Sequence, residues 1–202
     1  MDCLLCTPGT VKLWVPPRQS RGDSYWSLGS AGLHAVKLNV DGWLNLPNQR
    51  FATVEPAAHF YANALRLDAL FEHLVLPLRA GRGIDLTAAF AEETATQFRS
   101  HRYWYSDVDV IVLEGIYLFK RRYRRHFDIT VWIDCSFETA LARALARGQE
   151  GLAPPATVRA YETIYFPAQR IHFERDQPRE RADYVLLNDA ALGPEPASCT
   201  SR

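Results

Sequence analysis

The sequence predicts an α/β fold, three layers around a mostly parallel sheet, and three observations carry that prediction. The first is Asp107–Phe119, DVDVIVLEGIYLF, in which five of the six positions from Val108 to Leu113 are apolar, Asp109 being the exception. The run stops at Glu114–Gly115, and a short β-branched run of this kind fits a strand buried on both faces. The second is Leu33–Val40, LHAVKLNV, which closes in the same way on Asp41–Gly42. The third is the alternation of such strands with helical segments, the pattern of a sheet covered by crossover helices. Ligands of these sheets bind beyond the carboxyl ends of the strands, which makes Glu114 and Asp41 site candidates. The plainer reading of Glu114, a surface carboxylate at the end of a core strand, stands beside this one.

The remaining elements follow in chain order. Residues 1–33 hold four glycines and three prolines without a clear period, so most of this segment reads as an atypical, poorly ordered arm. Thr10–Val15 could form a short strand that Pro16–Pro17 ends at once. Trp43–Phe51, with Pro47, reads as loop. Leu65, Leu67, Leu70, Phe71, Leu74 and Leu78 recur at helical spacing, with Asp68 in the first turn, Pro77 ending or kinking the helix and Gly81 after it. Ile84–Tyr105 reads as a hairpin excursion, and Lys120–Arg125, KRRYRR, as the solvated start of a helix or a receiver of phosphate. Asp128–Asp134 is a buried strand, and Ser136 caps a helix running to Arg147, which Gly148–Pro155 breaks. Thr157–Arg175 is a further amphipathic helix, Ala182–Leu187 a last strand, and residues 190–202 a disordered tail. The main domain is then 34–189, with a lid around 143–155.

Composition narrows the classes of function. With 23 basic and 23 acidic residues the net charge is zero, which argues against a whole-surface nucleic-acid binder. No apolar run approaches the ~20 residues of a membrane span, and the N-terminus lacks the order of a signal peptide, so the cytoplasm is the default. Cys3-x-x-Cys6 has metal or redox spacing but no second pair follows, and all four cysteines, with Cys135 and Cys199, read as free thiols.

The segments VIVLEGIYLF, RRHFDITVWID, ETALARALARGQEGL, AYETIYFPAQRIHF and RADYVLLND together resemble the uridine kinase/phosphoribulokinase-like branch of the P-loop kinases over about Leu33–Asp189. The resemblance implies a P-loop kinase-like fold and an ATP- and Mg2+-dependent transfer of a phosphoryl group to a hydroxyl. The acceptor would be a nucleoside or a similar small metabolite, and a homo-oligomer is allowed. It further implies Asp41 as general base or orienting carboxylate, and Glu114 at the Walker-B-like strand end, with magnesium near both. Arg143 and Arg147 would be lid arginines reaching the phosphates, and Gln169 and Arg170 would line the same cleft. These roles suit a reaction that runs on positioning and on cations around spreading negative charge. A solvated helix face is the alternative for the two lid arginines.

Two departures qualify the resemblance. The family opens with a strand and a G-x-x-x-x-G-K-[ST] loop that cradles the nucleotide phosphates, and no such motif occurs here. Ser27–Gly32, SLGSAG, lacks the lysine and the Ser/Thr, and Lys37 lies within a strand. The first strand and Walker A loop are thus absent or replaced, leaving Thr10–Val15 as the one candidate to fill a mid-sheet gap between 108–113 and 129–133. The chain then reads as a kinase impaired or truncated at its N-terminus, or as a catalytically inactive relative that binds a metabolite or a protein. Uridine kinases also carry a tyrosine and a histidine in the hairpin after the first helix, and Ile84–Phe90 offers neither.

Overall fold

A computed structural model describes residues 9–14, 32–148 and 151–189. Seven strands are found among them: β1 (Gly9–Trp14), β2 (Ala35–Asn39), β3 (Ile84–Phe90), β4 (Arg99–Tyr105), β5 (Val110–Gly115), β6 (Ile129–Asp134) and β7 (Tyr184–Leu187). Five form one sheet in the order β2-β5-β1-β6-β7, and β3 and β4 pair as a separate antiparallel hairpin. Pairing is parallel between β2 and β5 and between β6 and β7, while β1 is antiparallel to both of its neighbours. Four strands therefore run one way and β1 alone runs against them. The backbone of β1 fills the mid-sheet gap between β5 and β6, so a strand lies within the segment expected to be a poorly ordered arm. Its direction has a consequence for the site. Thr10 pairs with Gly115 and Gly9 with Ile133, whereas Trp14 pairs with Ile111. The chain enters β1 at the carboxyl ends of the parallel strands and leaves at their amino ends.

Asp109, the polar exception in the central run, is buried at the start of β5. It accepts from the His34 backbone N–H at 3.0 Å and from Arg82 at 2.7 Å, so the charge is compensated where β2 and β5 begin.

The helices are α1 (Pro47–Arg50), α2 (Pro56–Asn63), α3 (Leu67–Leu70), α4 (Leu76–Gly81), α5 (Arg121–Arg124), α6 (Phe137–Arg147), α7 (Pro154–Ala160), α8 (Phe166–Asp176) and α9 (Pro178–Arg181). The helical turn α1 stands where loop was expected, and α2 was not anticipated at all. Pro77 does not end its helix. A π turn over Phe71–Val75 joins α3 to α4 and widens the spiral around His73, the residue whose carbonyl a proline at position 77 would strike. The device recurs at Tyr161–Tyr165, which joins α7 to α8 ahead of Pro167. Ser136 caps α6 as expected, its hydroxyl accepting from the Thr139 N–H at 3.2 Å.

The main core unites β2 and β5 with α2–α4 through Val36, Leu38, Leu70, Leu74, Leu78 and Leu113, all below one-tenth exposed. A smaller cluster around Cys135, Ala144, Tyr161 and Phe166 ties the end of β6 to α6 and to the helix α7–α8. Cys135 is a buried free thiol, while Cys3, Cys6 and Cys199 lie outside the described residues, as do Pro16–Ala31 and the tail from Ala190.

Candidate active site

The site is built at adjacent strand tips. β2 and β5 pair in a register that sets Asn39 opposite Glu114. Asn39 joins the two acidic positions directly: its Nδ2 donates to Glu114 Oε1 at 3.2 Å, and its Oδ1 accepts from the Asp41 backbone N–H at 2.8 Å. That second bond opens the single 3-10 turn Val40–Gly42 that carries Asp41. Glycine is required at both tips. A Cβ on Gly115, whose φ is +144°, would sit 2.0 Å from Val40 Cγ2, and one on Gly42 would sit 2.4 Å from a Phe90 ring carbon. The chain therefore closes so tightly behind Asp41 and Glu114 that neither tip tolerates a side chain beside the acid.

The electrostatics separate the two carboxyl groups. Glu114 is 4% exposed and its Oε1 takes an ion pair from Lys37 Nζ at 2.8 Å. Among the described residues Asp41 has no such cation in contact, and its Oδ1 is buried with no hydrogen-bond partner. Burial, reinforced by the charges of Glu93 and Glu114, pushes the Asp41 carboxyl up to about 7 against the opposing pull of Asn39 and Arg147. A carboxyl at that value is matched to taking a proton at neutral pH.

In front of Asp41 lies a cavity of about 620 Å3, enclosed by the tip of β2, the β3–β4 hairpin and the helix α7–α8. Its lining mixes charged side chains with aromatic rings, among them Phe60, His101, Tyr103, Tyr117 and Tyr165. His101 and Tyr103 are two apart on β4 and so share one face, their rings 4.6 Å apart edge to face. Phe90 lies 4.9 Å from His101, and Trp43 stacks on Tyr103 at 5.8 Å, which fixes both rings. Tyr117 is almost fully buried and is held at φ +60°, a left-handed conformation costing a tyrosine roughly 1–3 kcal/mol. Gln169, from α8, also lines the cavity with its buried Oε1 unbonded among the described residues.

The expected residues thus fall into two groups. Asp41, Glu114 and Gln169 converge at or behind the cavity, and Arg147 is close enough to act on the charge of Asp41. Arg143, one turn earlier on α6, instead reaches Asn188 at 3.4 Å beyond the end of β7. Arg170 points away, its guanidinium 5.0 Å above the Phe137 ring. Ile84–Phe90 carries neither tyrosine nor histidine, but the second strand of the hairpin brings a Tyr–His pair, Tyr103 and His101, to the cavity. The alternation in Ser100–Tyr105, SHRYWY, is the signal that could have found it. Lys37, within β2, shares a strand face with Asn39 and so reaches Glu114, a partner that the sequence did not point to.

Magnesium and nucleotide phosphates make different demands. Mg2+ is commonly held by one or two carboxylates together with substrate phosphates, and the unbonded Oδ1 of Asp41 suits that role. Among the described residues no three or more His, Cys, Asp or Glu side chains form a metal-binding group, so an all-protein cage is not offered. The phosphates fit less well. In the family arrangement a glycine-rich loop follows a central strand at the carboxyl edge of the sheet, but the central strand β1 leaves from the opposite edge. The described residues supply no phosphate cradle there.

Comparison with known proteins bears on the family and the fold. The sequence model of the phosphoribulokinase/uridine kinase family matches residues 36–151. Among solved structures, that of a possible uridine kinase from Bacillus stearothermophilus superposes with a TM-score of 0.61 at 21% identity, over 80% of this chain and 76% of that one. No curated protein matches the sequence. No helix among the described residues is long and apolar enough to cross a membrane.

Proposed function

The chain belongs to the phosphoribulokinase/uridine kinase family, and we propose that its cavity receives a nucleoside-like acceptor whose hydroxyl is presented to Asp41 for phosphorylation. The observation that carries this reading is the joint placement of a carboxyl near pKa 7 and a His–Tyr ring pair around one aromatic cavity. A planar base suits the rings of His101 and Tyr103, since stacking on aromatic faces contributes ~1–3 kcal/mol per base. Gln169 offers a hydrogen-bonding amide to the acceptor's polar edge. The acceptor hydroxyl gives its proton to the Asp41 carboxylate, held by its own turn and by Asn39. Asp41 and Glu114 are the groups that would hold Mg2+, which when bound with ATP supplies positive charge to the phosphates. Arg147 and Arg143 belong to a lid around 143–155. An assay with ATP–Mg2+ and nucleosides tests the reading. Asp41→Asn should lower kcat at least ~100-fold with a smaller change in acceptor KM, and unchanged turnover would refute the base assignment.

One observation favours a second reading, a relative that binds the acceptor without turnover: with β1 reversed, the described residues leave the phosphate side of the site without a loop. On that reading nucleosides stabilise the protein and ATP–Mg2+ does not. A ligand at 100 times its Kd adds ~2.7 kcal/mol, so millimolar ATP without a thermal shift supports this alternative.

A further inference from the structure

A second cavity, of about 490 Å3, opens behind the acceptor site and is lined by Tyr61, Lys120, Arg121, Arg122, Arg175 and Asp176. Four cations thus face two carboxylates, Asp176 in the wall and Asp68 nearby, and those two are already engaged. Asp176 Oδ2 accepts from the Tyr61 hydroxyl and lies 2.8 Å from His172 Nδ1, while its Oδ1 accepts from the Arg121 backbone N–H at 3.2 Å. Asp68 pairs with Arg122 at 2.9 Å. The other three cations make no carboxylate ion pair among the described residues. Lys120 donates to the Tyr61 carbonyl at 2.5 Å and sits 4.3 Å from the Tyr61 ring centre. Arg121 donates to the Arg175 carbonyl at 2.9 Å, and the Arg175 guanidinium lies 5.7 Å over the Tyr61 ring. Burial, with Arg122 and Arg175 adding to it, holds the Lys120 ammonium down at about 8 against the pull of Asp176 and Asp68.

We propose that this cavity is a binding site for a small phosphoryl anion, separate from the acceptor cavity and bounded by Lys120, Arg121 and Arg175. Two guanidinium forks and an ammonium converging on one concavity suit a compact oxyanion, since such charge-assisted bonds are the strongest available at a surface. A compact ligand fits better than a polyanion, because the chain carries zero net charge. The wall between the two cavities is Tyr117, which lines the first and packs 5.3 Å from Tyr61, the ring at the mouth of the second. The site does not depend on the kinase reading.

Calorimetric titration of the full chain with pyrophosphate, against chloride at matched ionic strength, tests it. Saturable binding is expected, weakened at least ~tenfold in Arg175→Gln, which removes one exposed charge without emptying the core. Lys120→Gln should weaken it similarly, and Arg147→Gln should leave it intact. Binding that survives Arg175→Gln and Lys120→Gln but is lost in Arg147→Gln would assign the anion to the strand tips and overturn the proposal. Absence of saturable binding would overturn it too. So would a short oligoribonucleotide that binds far more tightly than pyrophosphate through the same two residues, which would make the surface a nucleic-acid contact.

Discussion

On the proposed function Asp41 is the residue on which the chemistry turns, and its protonation has a cost that can be measured. Its carboxyl rises from 3.8 to about 7 on folding, chiefly through burial. Between those values the folded chain binds a proton that the unfolded chain has released, so stability falls as pH climbs from about 4 to about 7 and is level above. Asp41→Asn removes this penalty. The variant should be more stable than the parent at pH 8, by at most about 4 kcal/mol, and the gain should vanish by pH 4 in urea melts. Lys37 makes the opposite prediction. Its ammonium compensates Glu114, which is 4% exposed, and Lys37→Met should destabilise the fold by roughly 1–3 kcal/mol. Pairing it with Glu114→Gln should recover part of the loss, which a double-mutant cycle checks. Both acids could be read from the sequence because each ends an apolar run and precedes a glycine. Lys37 could not, since a strand's alternation tells which residues share a face but not which partner the neighbouring strand sets opposite.

At the scale of elements, two features are open to test. Gly115 joins β5 to the site with φ +144° and no room for a Cβ, so Gly115→Ala should cost more than about 3 kcal/mol or prevent folding. Adding Val40→Ala should recover only the steric part, leaving the backbone strain. β1 is hydrogen-bonded on both sides, to β5 and β6. Val11→Pro removes a ladder donor and should unfold the domain, by circular dichroism, where the same change at a solvent-facing position of an edge strand would be tolerated. The strands and the hairpin were legible because period-two patterns and strand-ending glycines are local signals. The direction of β1 was not, because its residues only show that a strand can form. The π turns before Pro77 and Pro167 were hidden for a similar reason: proline forbids one hydrogen bond, and whether the helix stops or widens is decided by the packing of Leu74 and Tyr161 in the cores.

For the whole molecule, the acceptor side and the donor side of the site are in different condition. The acceptor side has a carboxyl tuned toward neutrality, a rigid ring pair and a cavity of about 620 Å3. The donor side meets a central strand that leaves from the wrong edge for a phosphate loop. This asymmetry was half visible in the sequence. The missing glycine-rich motif could be read directly, whereas the ring pair shows only as the alternation in Ser100–Tyr105, which does not tell that this face of the hairpin meets the cavity. The central claim is that the aromatic cavity in front of Asp41 recognises a nucleoside. The most direct measurement is calorimetric titration of uridine into the protein and into Tyr103→Ala. Saturable binding to the parent, weakened at least ~tenfold in the variant, is the predicted result. No binding at millimolar uridine, or equal binding to both proteins, would contradict it.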